Sequence, residues 1–230
     1  MNDKKICIFD IDGTIFASNS TFDFLHFSFG KTARYRRTNV LFGNIFSKIL
    51  NRILFKVFSF DLKRKMYIRI LKGKSRTELE EFADIFCSEF LNFRKNNDVI
   101  GLISQLKDEN ICFVSATLDF LSKRIILFLK NLLSLENVTV LSTELLYKNG
   151  ICTGKIKKDL LNKKLFALNE LRVEKPFDFV VSDDLFDIPL MENSRESYVV
   201  LTKKNKMKWE KKLKSANFKF KTIDTQGVLE

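Results

Sequence analysis

Apolar and polar positions follow two different periods along this chain. Short apolar runs closed by polar or turn-forming residues predict buried strands at 5–9, 111–115, 138–141, 178–182 and 198–201, with a further run at 218–222. Between them, apolar residues return every three or four positions at 97–108, 118–132, 160–171 and 205–214, which predicts helices. Strands alternating with helices predict an α/β fold: a Rossmann-like parallel sheet with helices on both faces.

Residues 17 to about 93 break this alternation, showing helical periodicity and no clear strand. Thr77 followed by Glu80 predicts a capped helix start. Leu79, Phe82, Phe86 and Phe90 then line one face of a helix running to about 93. The expected organisation is a Rossmann-like core from 1–16 and 94–230, with an all-helical cap of 17–93 inserted after the first strand. Such an insertion lies over the carboxyl end of strand one, where α/β folds bind ligands.

One part of the insertion admits two readings. Residues 39–60 are rich in Leu, Ile, Val and Phe, and Lys48, Arg52 and Lys56 recur every four positions. A helix there is basic along one stripe and apolar over a wide arc, which suits peripheral contact with an anionic membrane. It equally suits a helix packed among the other cap helices with its basic stripe in water. The packed reading is preferred, because a Phe-rich cap needs a core.

Composition narrows the class. The 230 residues are 45% apolar, enough to bury a real core, and include 24 Phe against one Trp. Two Pro and eight Gly argue against collagen-like repeats and flexible linkers. The net charge of +12 is concentrated: residues 31–72 hold twelve Lys and Arg against a single acid, Asp61. That patch attracts anions, or it is simply a solvated face. No recognised nucleic-acid motif accompanies it, so no specific nucleic acid is expected. Cys7, Cys87, Cys112 and Cys152 form no C-x-x-C pair and read as reduced core residues. The first strand begins almost at once and no stretch of about 18 uncharged apolar residues exists, so a cytoplasmic protein is expected.

Four segments carry candidate chemistry. Asp10-Ile11-Asp12-Gly13-Thr14 follows the first apolar run. Two carboxylates at the end of a buried strand are costly unless a cation or a reaction requires them. Val114-Ser115-Ala116-Thr117 ends a buried strand in a hydroxyl and opens a helix, where Ser115 and nearby amides can hold a phosphate. Thr153-Gly154 is followed by Lys163-Lys164, and a lysine at a helix start can neutralise a phosphoryl group. Val181-Ser182-Asp183-Asp184-Leu185-Phe186-Asp187 is a second apolar run ending in carboxylates.

In this order the segments resemble the four motifs of the haloacid dehalogenase superfamily of phosphatases, in the phosphoserine-phosphatase-like branch. The resemblance spans the chain and places the helical cap where that branch has it. It implies a phosphate monoester hydrolase working through an aspartyl-phosphate. Asp10 would be the nucleophile and Asp12 the general acid and base. Ser115 and Lys164 would hold the phosphoryl oxygens. Mg2+ would be bound by the Asp10 side chain, the Asp12 carbonyl and Asp183, with Asp187, Thr14 and Ala116 in support. Lys163 stays open as the alternative lysine. His26, the single histidine, reads as packing or surface.

Two departures qualify the resemblance. The fourth motif has Ser182-Asp183-Asp184 where the family has Gly-Asp-Ser. Where phosphoserine phosphatases carry a glutamate for the substrate ammonium, this chain has Ser18-Asn19-Ser20-Thr21, with no carboxylate before Asp23. The expected substrate is therefore a phosphorylated small molecule other than phosphoserine, such as a sugar phosphate. A membrane-surface phosphatase of a phospholipid head group is the alternative. An inactive fold whose basic cap binds a polyanion is a third reading.

Overall fold

The seven strands lie in one sheet: β1 (Ile6–Phe9), β2 (Asn110–Leu118), β3 (Val138–Lys148), β4 (Ile151–Lys158), β5 (Phe177–Ser182), β6 (Ser194–Leu201) and β7 (Phe220–Asp224). Their spatial order is β4-β3-β2-β1-β5-β6-β7. Every pairing is parallel except β3 with β4. The structure is a computed structural model that describes residues 4–44, 51 and 61–225.

Helices α1 (Ser20–Phe29), α2 (Ala33–Gly43), α3 (Leu62–Ile68) and α4 (Arg76–Glu89) all fall between β1 and β2, and α5 (Asn97–Gln105) leads into β2. The remaining helices are α6 (Asp119–Leu133), α7 (Lys164–Glu170), α8 (Ile188–Met191) and α9 (Lys206–Leu213). The α/β fold is thus observed, and the insertion after the first strand is helical among the described residues.

Side-chain alternation along the strands builds two apolar layers. Cys7, Phe9, Ile111, Phe113 and Val181 face one side, where they join α5, α6 and the inserted helices in one continuous cluster. Phe24 bridges that cluster, with ring centroids 5.7 Å from Phe86 of α4 and 5.3 Å from Phe120 of α6. Ile8, Cys112, Val114, Val180 and Val199 face the other side, against α7, α8 and Trp209 of α9. Burying each such large side chain stabilises the fold by about 1.5–3 kcal/mol.

Several expected boundaries shift. The run expected at 138–141 extends to Lys148 and turns back as β4, a strand the periodicity did not predict. The turn is Asn149-Gly150, with φ of 50° and 76°, a hairpin signal with physical content. The helix expected from 160 begins at Lys164, since Leu160–Lys163 forms a turn closed by the Lys163 N–H on the Leu160 carbonyl at 2.9 Å. The cap of α4 is Ser75, not Thr77: Ser75 Oγ accepts the Glu78 N–H at 3.1 Å, while Glu80 pairs with Arg76. Most of the 39–60 segment, including Lys48, Arg52 and Lys56, lies outside the described residues. Among the described residues no helix is long and apolar enough to cross a membrane.

Candidate active site

The strand order reverses direction between β1 and β5, and the crevice at such a switch point is the usual ligand site of an open α/β sheet. Register brings the site together. Phe9 pairs with Phe113 on one side and Val181 on the other, so the chain leaves β1 at Asp10 beside Ser115 and Asp183. A cleft of about 290 Å³ opens there, lined by Asp10, Asp12, Ser115, Ala116, Lys164, Asp183 and Asp187 among others.

Lys164 is buried at the start of α7, and its Nζ lies 2.8 Å from Asp10 Oδ1 and 2.7 Å from Asp187 Oδ2. Lys163 is exposed and lines neighbouring grooves, not the cleft. The position of the two lysines follows from the turn before α7, which rotates one inward and the next outward.

Each acid is held by a specific neighbour. Asp10 Oδ1 also accepts the Ile11 N–H at 2.8 Å. Asp12 Oδ1 accepts the Ser20 N–H at 3.0 Å. Asp187 Oδ2 accepts the Ser182 hydroxyl at 2.6 Å. Thr14 Oγ1 donates to Asp183 Oδ1 at 3.1 Å and accepts the Asp183 N–H at 2.9 Å, locking the two loops together. Gly13, at φ 72°, lies so close that a Cβ there would stand 2.3 Å from Asp183 Oδ2. The glycine is therefore required twice, by its backbone angle and by the carboxylate packed against it.

The electrostatics are unbalanced. Burial pushes the Asp10 carboxyl up to about 7; Lys164 opposes the rise, and Asp187 adds to it. Burial raises Asp183 well above the carboxylate range, and Asp10 and Asp184 reinforce it. Asp12 is raised by burial too, against hydrogen bonds from Ser20. Burial works against the Lys164 charge, but Asp10 and Asp187 overcome it and its pKa rises. Lys164 thus serves a cluster of five carboxyls.

That imbalance suits a hard divalent cation. Asp10 Oδ2 and Asp183 Oδ2 accept no hydrogen bond among the described residues. No three His, Cys, Asp or Glu side chains there are grouped as a complete metal cage. Two carboxylates and a backbone carbonyl, completed by water and a ligand phosphate, are the oxygen set Mg2+ takes. The residues present fit such an ion.

Other marked residues lie elsewhere. Thr153 Oγ1 donates to the Leu146 carbonyl within the β3–β4 hairpin. Gly154 packs against Lys72 and Arg69. His26 is exposed on α1, with Nδ1 3.2 Å from the Tyr35 hydroxyl. Asp184 caps the short turn Leu185–Asp187 through the Phe186 N–H. Sequence reasoning missed a hydroxyl chain behind the carboxylates: Ser20 Oγ lies 2.9 Å from Thr117 Oγ1, which lies 3.0 Å from Ser115 Oγ. Hydroxyls ending two adjacent elements were its only sequence signal.

A family model described as haloacid dehalogenase-like hydrolase matches residues 7–192, which includes every candidate acid. The chain belongs to the haloacid dehalogenase-like hydrolases. Among solved structures it is similar to a protein of unknown function from Bordetella pertussis Tohama I, with a TM-score of 0.70 at 16% identity over 97% of this chain and 100% of that one. It also resembles a phosphoserine phosphohydrolase-like protein from Francisella tularensis subsp. tularensis SCHU S4, with a TM-score of 0.59 at 17% identity over 94% of each chain. A phosphoserine phosphatase captured as a phospho-aspartyl intermediate analogue scores 0.55 at 16% identity, over 90% of this chain and 91% of that one. No curated protein sequence matches. These likenesses show that the hydrolase fold is shared.

Proposed function

We propose that this haloacid dehalogenase-like hydrolase is a Mg2+-dependent phosphatase of a small phosphate monoester, with residues 17–93 as its cap. The observation that carries the reading is the Asp10–Lys164–Asp187 array beside Asp12 and Ser115 in one cleft. Asp10 and Asp183, with the Asp12 carbonyl, would hold Mg2+, which supplies charge neutralisation at the phosphoryl oxygens.

The chain's own residues account for the rest. Asp10 attacks phosphorus, the bond to the ester oxygen breaks, and Asp12 gives its proton to that oxygen. The raised pKa of Asp12 suits the acid role. Water then attacks the aspartyl-phosphate, Asp12 takes its proton, and inorganic phosphate leaves with the Asp10 carboxylate restored. Ser115 and Lys164 hold phosphoryl oxygens throughout.

Cleft chemistry bears on the substrate. Ser18 and Asn19 line it, and Asp23, the first acid after them in the chain, is turned back onto the Ser18 hydroxyl at 2.6 Å. An ammonium group on that side of the cleft would meet neutral side chains, whereas sugar hydroxyls would find partners in Ser18, Asn19 and Asn162.

The test is phosphate release with and without Mg2+, comparing wild type and Asp10→Asn. The panel holds sugar phosphates, nucleotides, phosphoserine and a phospholipid phosphomonoester in mixed micelles. Mg2+-dependent turnover of a sugar phosphate that Asp10→Asn abolishes is expected. Turnover surviving in Asp10→Asn refutes the nucleophile assignment, and silence on every ester refutes the reading.

A further inference from the structure

Arg64 is the only residue of α3 that is charged and buried, at 5% exposure, and its guanidinium leaves the insertion for the core. Nη1 donates to Asp159 Oδ1 at 2.7 Å. Nη2 donates to the Ala116 carbonyl at 2.6 Å and to Thr143 Oγ1 at 3.0 Å. Burying a charge this deeply is costly unless its partners are in place, and here three acceptors on three separate segments are.

Two of those partners adjoin the candidate phosphate-binding groups. Ala116 follows Ser115, and the Thr117 N–H is held on Ser115 Oγ at 3.3 Å. Asp159 Oδ1 accepts the Leu161 N–H at 3.1 Å and the Thr143 hydroxyl at 3.3 Å, setting the turn that leads to Lys164. Thr143 Oγ1 in turn accepts the Leu160 N–H at 3.2 Å. A single guanidinium from the insertion therefore fixes the backbone on either side of the cleft.

We propose that Arg64 is a positioning residue that holds the Ser115 and Lys164 segments at the spacing a phosphoryl group needs, coupling placement of α3 to the phosphate site. The inference rests on the phosphatase reading for its kinetic consequence, but not for its structural one. Lysine at this position keeps the charge and loses the planar fork, so it cannot reach Asp159 and the Ala116 carbonyl together.

The experiment compares wild type, Arg64→Lys and Asp159→Asn by amide hydrogen exchange, and by steady-state kinetics with inorganic phosphate as inhibitor. Arg64→Lys is expected to speed exchange at both Thr117 and Leu161, leaving β6 unchanged. Asp159→Asn is expected to act at Leu161 alone. With an ester that wild type hydrolyses, Arg64→Lys should raise KM and the phosphate inhibition constant together by about tenfold to a hundredfold, the scale of a lost hydrogen bond to a charged group. Asp159→Asn keeps a hydrogen-bonding side chain in place and serves as the milder variant if Arg64→Lys folds poorly. Unchanged exchange at 117 and 161 in Arg64→Lys overturns the proposal whether or not any ester is hydrolysed. Altered exchange with unchanged phosphate inhibition overturns its functional half. Wild-type silence on esters would fall on the phosphatase reading, with the exchange result still deciding the latch.

Discussion

Replacing Gly13 by alanine separates what this position does for the fold from what it does for the site. At φ 72° a Cβ costs about 1–2 kcal/mol through its clash with the backbone. The same Cβ would stand 2.3 Å from Asp183 Oδ2, so that carboxylate must turn aside. Turning it breaks the hydrogen bond from Thr14 Oγ1, worth about 0.5–1.5 kcal/mol. Together these predict a loss of about 2–3 kcal/mol, which in a chain of this size lowers Tm by roughly 5–10 °C. The protein stays folded at 25 °C. The effect on Mg2+ should be disproportionate, because a carboxylate expected to bind it has left the cleft. The half-saturating Mg2+ concentration should rise at least about tenfold, the scale on which disturbing even a metal's supporting partners weakens it. Thermal melts with EDTA and with Mg2+, beside a Mg2+ titration of phosphate release, read both effects. A Gly13→Ala protein with the wild-type Mg2+ requirement would refute the packing of Asp183 against this turn as the reason for the glycine.

Three further outcomes follow from the same geometry. Lys164→Met should lower kcat/KM by about 10²–10³-fold, as removing one preorganised charge partner does elsewhere, and Lys163→Met should leave it unchanged; equal effects would refute the inward assignment of Lys164. In EDTA, stability should fall as pH rises from about 4 to about 7. Asp10 is pushed from 3.8 up to about 7 by burial, so across that window the native state holds a proton the unfolded chain has lost. The stabilisation is complete below the unfolded value and gone above the folded one, and Mg2+ at pH 7.5 should restore it; urea midpoints across pH with and without Mg2+ would show otherwise if flat. Burial pushes the Cys7, Cys87 and Cys112 thiols up to about 12 and raises Cys152 as well, so a thiol reagent at pH 8 should label none of the four in native protein within minutes and all four in urea.

Much of the site was legible because its residues sit where the apolar runs of the strands stop. Phe9, Val114 and Val181 are buried and the polar residues that follow them reach the crevice, Asp10 and Ser115 directly and Asp183 after the buried Ser182, so all three could be read from one dimension. The family resemblance added the order of the motifs. What could not be read depends on register and rotation. β4 contains Gly154 and three lysines, so its edge position in an antiparallel hairpin leaves no apolar alternation, and only Asn149-Gly150 marked it. Lys163 and Lys164 are chemically identical until the turn at Asn162, φ 59°, fixes which one enters the cleft. Arg64 sat unnoticed within a run of basic residues, since no local pattern tells a buried arginine from its eleven basic neighbours. The cap of α4 was misplaced by two residues because Ser75 and Thr77 both precede a glutamate by three positions, and only backbone geometry chooses between them.

The continuous apolar cluster limits how such a cleft can open. Phe24, Leu25 and Phe29 of α1 and Leu79 and Phe86 of α4 are buried in the same layer as Phe9 and Phe113 of the sheet. Lifting α1 and α4 away together would break the packing of Phe24 on Phe120 and expose whatever part of these five side chains is buried against the core, at up to about 1.5–3 kcal/mol each. Even part of that sum is large against the whole stability of a typical domain, about 5–15 kcal/mol. α3 is bound in turn by Tyr67 and Ile68 in that layer and by the Arg64 guanidinium in the core. Rigid-body lifting of α1 and α4 is therefore costly, and the exposed rim of the cleft at Asn19, Asn162 and Phe186 is the cheaper route for a ligand. Selection among phosphorylated molecules then rests on what passes that rim and on the fixed spacing beneath it, which is the spacing Arg64 holds.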